Sequence, residues 1–447
     1  MKQFTLEEKN EVLETPFIHI HRKLDVLLNI AKLLMECGAD TVRIVSEIQQ
    51  AATFMGIPHN YLNIHISYTT IMINIFHEER SITVFRKTPI HIPNMAMINA
   101  ISKLTWRAFE RHYSLTTYER LVGKLQQTIP VYPVWAKGIA CALGSAGLAY
   151  LYSADIIALV VTFICSLCGY FMRVVSQRLG FNEYLGNAIC AFTAMFIAYG
   201  FYTFIELGSL VYVLVCCTLF MIPGVPLINS VIDTINNHIL SGITRAIRTL
   251  LIVGSMTLGM AMALYFSPLP AFNFVDIKPH IFSIAQIIGS FVSAASFAVL
   301  FNSPARLLPY IGLGGVVCVV IRNLMLLEYG FALPGATFIG AAVMSVIFVK
   351  LSTWLRTSGP VLVVPSAIAL MPGIFLYRFL FDILHINSLN ESGLLYMAQN
   401  GTTGILSIVG IAVGVAVPNV LAQRYLQKRK NQRTQKLMAT RHACDGQ

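Results

Sequence analysis

Residues 221–246 read MIPGVPLINSVIDTINNHILSGITRA. The stretch opens inside an apolar run and closes just past an arginine. Pro223-Gly224 interrupts what composition makes a membrane helix, and Asn229, Asp233, His238, Ser241 and Arg245 crowd behind the interruption. Proline removes a backbone donor and clashes with the turn before it. In lipid each bare backbone group costs several kcal/mol, so a break survives only where protein or water covers it. Two readings follow: a simple proline kink, or the wall of a polar cavity.

The rest of the chain sets that stretch in a membrane. Of 447 residues, 56% are hydrophobic and only 12% are charged, against about 25% charged in soluble proteins. The net charge of +11 is unevenly spread. Residues 1–137 carry 15 Lys/Arg and 12 Asp/Glu, residues 138–420 carry 10 and 8, and the last 27 carry 7 and 1. A charged head and a basic tail thus flank an apolar middle. The N-terminal stretch MKQFTLEEKNEVLETPF is acidic and lacks the apolar core of a signal peptide, so the head is expected in the cytoplasm. The tail, QRYLQKRKNQRTQKLMATR, follows an apolar helix directly, which makes it a cytoplasmic anchor rather than a nucleic-acid arm.

Nine cysteines, mostly inside apolar runs, argue against a disulfide framework. Cys165 and Cys168 form CxxC within IIALVVTFICSLCGYF and read as small packing residues. No HExxH, GxSxG or P-loop is present, so no enzymatic activity, cofactor or metal is expected.

A span needs about 20 mostly apolar residues. Ten such segments are expected, at 134–152, 156–174, 185–205, 208–228, 247–266, 281–301, 307–327, 331–349, 360–380 and 401–421. With the head inside, the inner loops carry Arg173, Arg178, Arg245, Arg248, Arg306, Lys350 and Arg356, and the outer loops carry Lys278, Arg322 and Arg378. The excess of inner positive charge supports this orientation. An even number of spans also returns the basic tail to the cytoplasm.

The ten segments divide into two sets of five. Pro223-Gly224 in the fourth recurs as Pro372-Gly373 in the ninth, 149 residues on. The same offset aligns Arg173 with Arg322, Gly186 with Gly335 and Leu227 with Leu376, and ACALGSAGLA (140–149) with GSFVSAASFA (289–298). A five-span unit repeated once must enter the membrane from the opposite side, which makes the two halves inverted repeats suited to alternating access. Matched breaks in both halves point to a central cavity, with helix-terminal dipoles directed at a ligand.

Behind the first break, Asn229 and Asp233 are four residues apart and share a helix face. Asp233 is a candidate for carrying a proton or pairing with an amine, and Arg245 for pairing with Asp233 or with a carboxylate. The bland alternative is a wet inner loop. Behind the second break, Tyr377 and Arg378 follow, and Arg378 reads as a carboxylate fork or as an arginine snorkelling to the interface. Glu183, just before the third span, is a candidate proton carrier or, as the plainer reading, an interfacial loop carboxylate.

In the head, 21–37 has helical apolar spacing, ends at Gly38, and is followed by an Asp40-capped helix that stops at Gly56. YLNIHIS, TTIMINIF and SITVFRK read as strands, and helical pattern resumes over 94–127. His65, His77 and His91 fall in or near the strands without ligand spacing, so they are taken as structural.

These residues resemble the threonine/serine exporters. That family carries a hydrophilic N-terminal domain, ten spans and a PGxPLxNxxxDxxxxxxxSGxxR segment, matched here at Pro223, Gly224, Pro226, Leu227, Asn229, Asp233, Ser241, Gly242 and Arg245. Its GAxTxRVxxxI stretch is similar to GADTVRIVSEI, with Gly38, Ala39, Thr41, Arg43 and Ile48, and PGIFLYR (372–378) looks like its smaller partner domain. The chain departs from the family at Asn237-His238, where members often carry glycine. The resemblance implies export of small hydroxy amino acids driven by the proton gradient, and in some two-chain relatives export of dicarboxylates.

The expected architecture is a polytopic α-helical membrane protein of about ten transmembrane helices, arranged as two inverted five-helix repeats with a small N-terminal α+β cytoplasmic domain. The expected divisions are 1–130 (head), 131–268 and 269–424 (repeats) and 425–447 (tail). The expected function is proton-coupled export of threonine or serine across the plasma (inner) membrane, with both termini cytoplasmic. Alternatives are export of dicarboxylates such as succinate, a membrane-anchored hydrolase using the head, and an uncoupled channel. The expected binding residues are Pro223, Gly224, Asn229, Asp233, Ser241, Gly242, Arg245, Pro372, Gly373, Tyr377 and Arg378. Expected partners are a small-molecule substrate, the lipid bilayer and a proton gradient; a homo-oligomer is compatible, and nucleic acid is not expected.

Overall fold

The computed structural model describes residues 6–77, 80–88, 92–205, 210–266, 283–355, 357–384 and 386–445, and of 6–19 and 419–445 only the backbone. Lys278, Arg356, His91, the boundary at 268/269 and the side chains of His77 and Tyr377 lie outside the described residues. The chain forms two compact units. One contains residues 1–130, 236–241 and 425–447, the other 131–235 and 242–424.

In the first unit, helix α1 (Leu6–Glu36) leads to α2 (Thr41–Phe54), three strands β1 (Leu62–Ile66), β2 (Thr70–His77) and β3 (Arg80–Lys87), then α3 (Met95–Glu110) and α4 (Leu115–Thr128). Leu24, Leu27, Leu28, Ala31, Leu34 and Met35 recur at helical spacing and are all buried. Gly38 takes a positive φ of 75° where α1 ends, and Asp40 accepts a 2.9 Å bond from the Arg43 amide to cap α2. The strands form an antiparallel meander ordered β1-β2-β3, with Ile71↔Arg86 and Ile73↔Val84 in register across β2 and β3. Ile71, Ile73 and Ile75 are buried at every second position of β2, as a sheet with one covered face requires. Ile44, Ile48, Ile101 and Tyr118 add to the buried core of this unit.

The second unit is helical. It contains α5 (Val134–Leu151), α6 (Ile156–Arg178), α7 (Glu183–Phe204), α8 (Leu210–Leu219), α9 (Gly224–Ile235) and the continuation of α10 (Ile239–Tyr265). Then come α11 (Ile284–Leu300), a 3-10 turn (Ala305–Leu307) running into α12 (Leu308–Leu327), α13 (Leu333–Trp354), α14 (Gly359–Ala367), α15 (Gly373–Leu384) and the part of α16 (Glu391–Asp445) up to residue 424. Among the described residues, seven helices are long and apolar enough to cross a membrane, or nine if each of two bent pairs counts as one span. This differs from ten uniform spans in two ways. The fourth and ninth apolar segments are each split by their Pro-Gly, bent by 66° between α8 and α9 and by 58° across Leu370–Gly373. The sixth is a 17-residue helix, Ile284–Leu300. At 1.5 Å per residue it is about 25 Å long, short of a hydrocarbon core of about 30 Å.

Elements recur at the spacing read from sequence. Helices α9 and α15 are both 12 residues long and begin 149 residues apart, at Gly224 and Gly373. Helices α5 and α11 end in left-handed residues at the same spacing, Ser153 (φ 64°) and Asn302 (φ 54°). Ser166 Oγ in α6 donates to the Cys217 carbonyl in α8 at 3.3 Å; their counterparts α12 and α14 are also joined by a serine, with the donor on the other helix, Ser366 Oγ of α14 to the Ile311 carbonyl of α12 at 2.9 Å. The small-residue stretches of α5 and α11 pack on each other. A Cβ on Gly144 would lie 3.2 Å from Ser296 Cβ, one on Gly147 3.0 Å from the Gly289 carbonyl, and one on Gly289 2.7 Å from the Leu151 amide. Contacts that advance along α5 while retreating along α11 make the two helices antiparallel.

Candidate functional site

Each break is built by its own chain. After α8, the Met221 amide bonds to the Thr218 carbonyl and the Ile222 amide to the Leu219 carbonyl, closing the helix before Pro223. Gly224 then starts α9, and the Leu227 amide bonds to the Pro223 carbonyl. In the second half the Met371 amide bonds to the Ile368 carbonyl, and the Phe375 and Leu376 amides bond to the Pro372 carbonyl. In this way the backbone groups lost at each proline are shared out locally.

The two breaks meet. A Cβ on Gly224 would lie 3.0 Å from Met371 Cε and 3.5 Å from Ile368, and one on Gly373 would lie 2.5 Å from Leu219 Cδ2 and 3.0 Å from Ile222. The crossing itself is therefore apolar, formed by Leu219, Ile222, Ile368 and Met371. Polar residues begin one turn further along each helix.

On α9, Asn229 and Asp233 share a face and are 3% and 0% exposed. Asp233 Oδ2 lies 3.0 Å from Arg245 Nε on α10, and Arg245 is itself only 3% exposed. Gly242 permits that pairing. A Cβ there would overlap Thr234 Oγ1 and stand 2.7 Å from the Ser230 carbonyl, so only glycine lets α10 cross α9 closely enough for Arg245, one turn later, to reach Asp233. Arg245 is thus not the loop charge that the orientation argument assumed. Nor is Arg248, whose Nη2 sits 2.6 Å from Glu183 Oε2 and ties α10 to the start of α7.

Ser241 faces elsewhere: its hydroxyl donates to the Ile66 carbonyl at the end of β1, 3.0 Å away, within the first unit. Asn237, where the family often has glycine, takes φ 65°. Asparagine tolerates this left-handed conformation better than other non-glycine residues, so the departure keeps the turn. Burial holds the neighbouring His238 below its ordinary pKa, with His65 reinforcing and Asp40 opposing.

In the second half, Arg378 is half-buried on α15. Arg322 and Arg378 both lie close enough to Tyr152 to interact with its hydroxyl electrostatically, and Arg378 also acts on Tyr212. The Tyr152 and Tyr212 rings stack at 6.2 Å. Arg322 donates to Asn323 Oδ1 from Nε (3.0 Å) and Nη2 (2.9 Å), and Asn323 Nδ2 donates to Gln286 Oε1 at 2.6 Å. Arg322, expected at the outer membrane edge, is thus held by a neighbouring side chain that is itself tied to α11. Pro372 and Gly373 are buried.

Sequence reading passed over Tyr152, Gln286, Asn323 and Asp382. Tyrosine, glutamine and asparagine carry no local signal of a site. Asp382 does: it lies 149 residues after Asp233, as Arg378 does after Asn229. Among the described residues no three His, Cys, Asp or Glu side chains converge to hold a metal ion.

Compared with known families, residues 25–267 match a model described as threonine/serine exporter, and residues 286–421 match a second model of the same description. No solved structure matches the chain.

Proposed function

From the premise that this chain belongs to the threonine/serine exporter family, a family of multi-pass membrane transporters, with both of its modules fused in one polypeptide, we propose that it is a proton-coupled secondary exporter of threonine and serine. It works by alternating access between inverted repeats, 131–268 and 269–424. The observation that carries this reading is the mutual packing of the two Pro-Gly breaks. A single kink needs no partner, whereas two interrupted helices that meet inside a bundle are the arrangement that binds a ligand with helix ends and the residues just beyond them. The antiparallel pairing of α5 and α11 supports the inversion, because inverted repeats must run their first helices in opposite senses.

The Asp233–Arg245 pair supplies the coupling. Neutralising one member of a buried ion pair leaves the other charge unpaired, at a cost of about 3–5 kcal/mol. A proton on Asp233 therefore frees Arg245 for an α-carboxylate, and the ionised Asp233 in turn suits an α-ammonium group. Asn229, one turn before Asp233 on the same face, supplies hydrogen bonds to a hydroxyl, and Arg378 is the second carboxylate fork. The head and the basic tail lie in the cytoplasm of a plasma (inner) membrane protein, from which the substrate enters.

The test is efflux from proteoliposomes loaded with labelled threonine, serine or succinate under an imposed pH gradient. Threonine and serine should leave faster with the gradient, and Asp233→Asn and Arg378→Ala should each slow efflux at least about tenfold. Unchanged efflux in both variants would remove the residue roles. Flux of succinate alone would move the substrate to dicarboxylates, and flux indifferent to the gradient would leave an uncoupled path.

A further inference from the structure

Helices α9 and α15 place an aspartate at the same point. Each starts at the glycine of a Pro-Gly break and runs 12 residues. Nine residues past that glycine stands Asp233 in one and Asp382 in the other, and both are buried, at 0% and 8% exposure. A carboxylate at this depth in an apolar bundle costs several kcal/mol when charged unless it is paired, so neither position is a neutral place for an acid.

The cationic partners are not repeated in the same way. On α9 the arginine is brought by α10, as Arg245. The residue 149 positions after Arg245 is Leu394. On α15 the arginine is instead Arg378, four residues before Asp382 and on the same helix face. Its counterpart on α9 is the neutral Asn229. Thus the two halves place their arginines at different points, yet both keep the carboxylate. A salt bridge kept only for stability would repeat as a pair; here only the acid repeats.

We infer that Asp382 is a second proton-binding position of the transport cycle, the counterpart of Asp233 in the opposite half. This rests on the coupled-export reading above and adds the site that completes it. In alternating access the inverted halves exchange conformations, so a carboxylate that binds a proton from one face needs an equivalent that handles it toward the other. Protonation of Asp382 removes its charge beside Arg378, leaving Arg378 to a carboxylate ligand; deprotonation restores the competition. Among the described residues, few other titratable groups lie on the helices packed against α15. Helix α8, packed on α15, offers Tyr212, Cys216 and Cys217. The α16 segment whose Gly401 and Gly404 contact Phe379 and Leu376 offers Glu391 and Tyr396. Arg378 is the one cation on α15 itself.

The experiment uses the full chain in proteoliposomes and compares two measurements: net threonine efflux driven by a pH gradient, and threonine–threonine exchange at equal pH. For Asp382→Asn the ratio of driven efflux to exchange should fall about tenfold, and the pH dependence of efflux should flatten. Asp382→Glu should recover both. A wild-type-like ratio in Asp382→Asn, with the wild type itself gradient-driven, overturns this inference alone. Loss of exchange in both Asp382→Asn and Asp382→Glu overturns it too, because the residue is then structural. A wild type that exchanges but ignores the gradient removes the coupling reading and this inference with it.

Discussion

Asp233 and Arg245 are each almost fully enclosed, and their 3.0 Å contact helps make both charges tolerable. Removing one side takes this opposite charge from the other. Arg245→Ala should therefore lower stability by about 3–5 kcal/mol, and the double variant with Asp233→Asn should lose clearly less than the sum of the singles. Thermal midpoints of the four proteins in detergent test this, and additive losses would mean the pair does not interact. Gly242 acts on the same contact through shape. Gly242→Ala puts a methyl against Thr234 Oγ1 and the Ser230 carbonyl, so it should push α10 away and reproduce much of the Arg245→Ala loss. Asp233 and Arg245 stand out in the sequence because both follow a broken apolar helix, and their pairing was one of two readings left open there. Ser241 stands out for the same reason, yet its bond goes to Ile66, 175 residues earlier. Nothing local to a serine tells which carbonyl will be near it.

At the scale of elements, close helix crossings depend on glycines that face backbone rather than flexible side chains. Gly289→Ala would set a Cβ 2.6 Å from the Gly147 carbonyl and 2.7 Å from the Leu151 amide, neither of which can yield without moving α5. Its cost should be about 1–3 kcal/mol, as for other overpacked sites. Gly254→Ala, with nothing within 4 Å of the added methyl, should be neutral or gain up to about 1 kcal/mol in helix propensity. Equal thermal shifts for the two would contradict the antiparallel packing of α5 on α11. The breaks follow the same logic. Gly373→Ala meets Leu219 Cδ2 at 2.5 Å, whereas Gly224→Ala meets the mobile end of Met371 at 3.0 Å. Gly373→Ala should therefore impair efflux more, and Leu219→Ala should partly rescue it; no rescue would place the defect elsewhere. Hydropathy located these segments because it is a property of each stretch alone. It did not reveal the bends of 66° and 58°, since an apolar window scores a straight helix and a broken one alike.

For the whole molecule, the testable property is sidedness. With the head inside, a cysteine replacing Asp155, at the start of α6, should react with an impermeant maleimide from outside intact cells, and one replacing Arg178, at its end, should not. The reverse pattern would invert the topology. The native thiols whose side chains are described should add little background. Cys37 is buried and its pKa is pushed up to about 12, so it stays protonated near neutral pH, and of the other described cysteines only Cys168 is not fully buried. Of the charges counted for this orientation, Arg245 and Arg248 on the inner side and Arg322 on the outer side are engaged by side-chain partners on helices, so the inner excess of seven to three becomes five to two. By itself the sequence determined the membrane class, the apolar segments, the places where helices break and the family, all of which depend on the chemistry of contiguous residues. Only the tertiary structure decided that the two breaks touch, that Asp233 takes Arg245 as its partner, that Ser241 binds β1 and that Asp382 is buried. Those outcomes depend on which helices lie side by side, and burial and ion pairing are properties of neighbours in space rather than neighbours in chain.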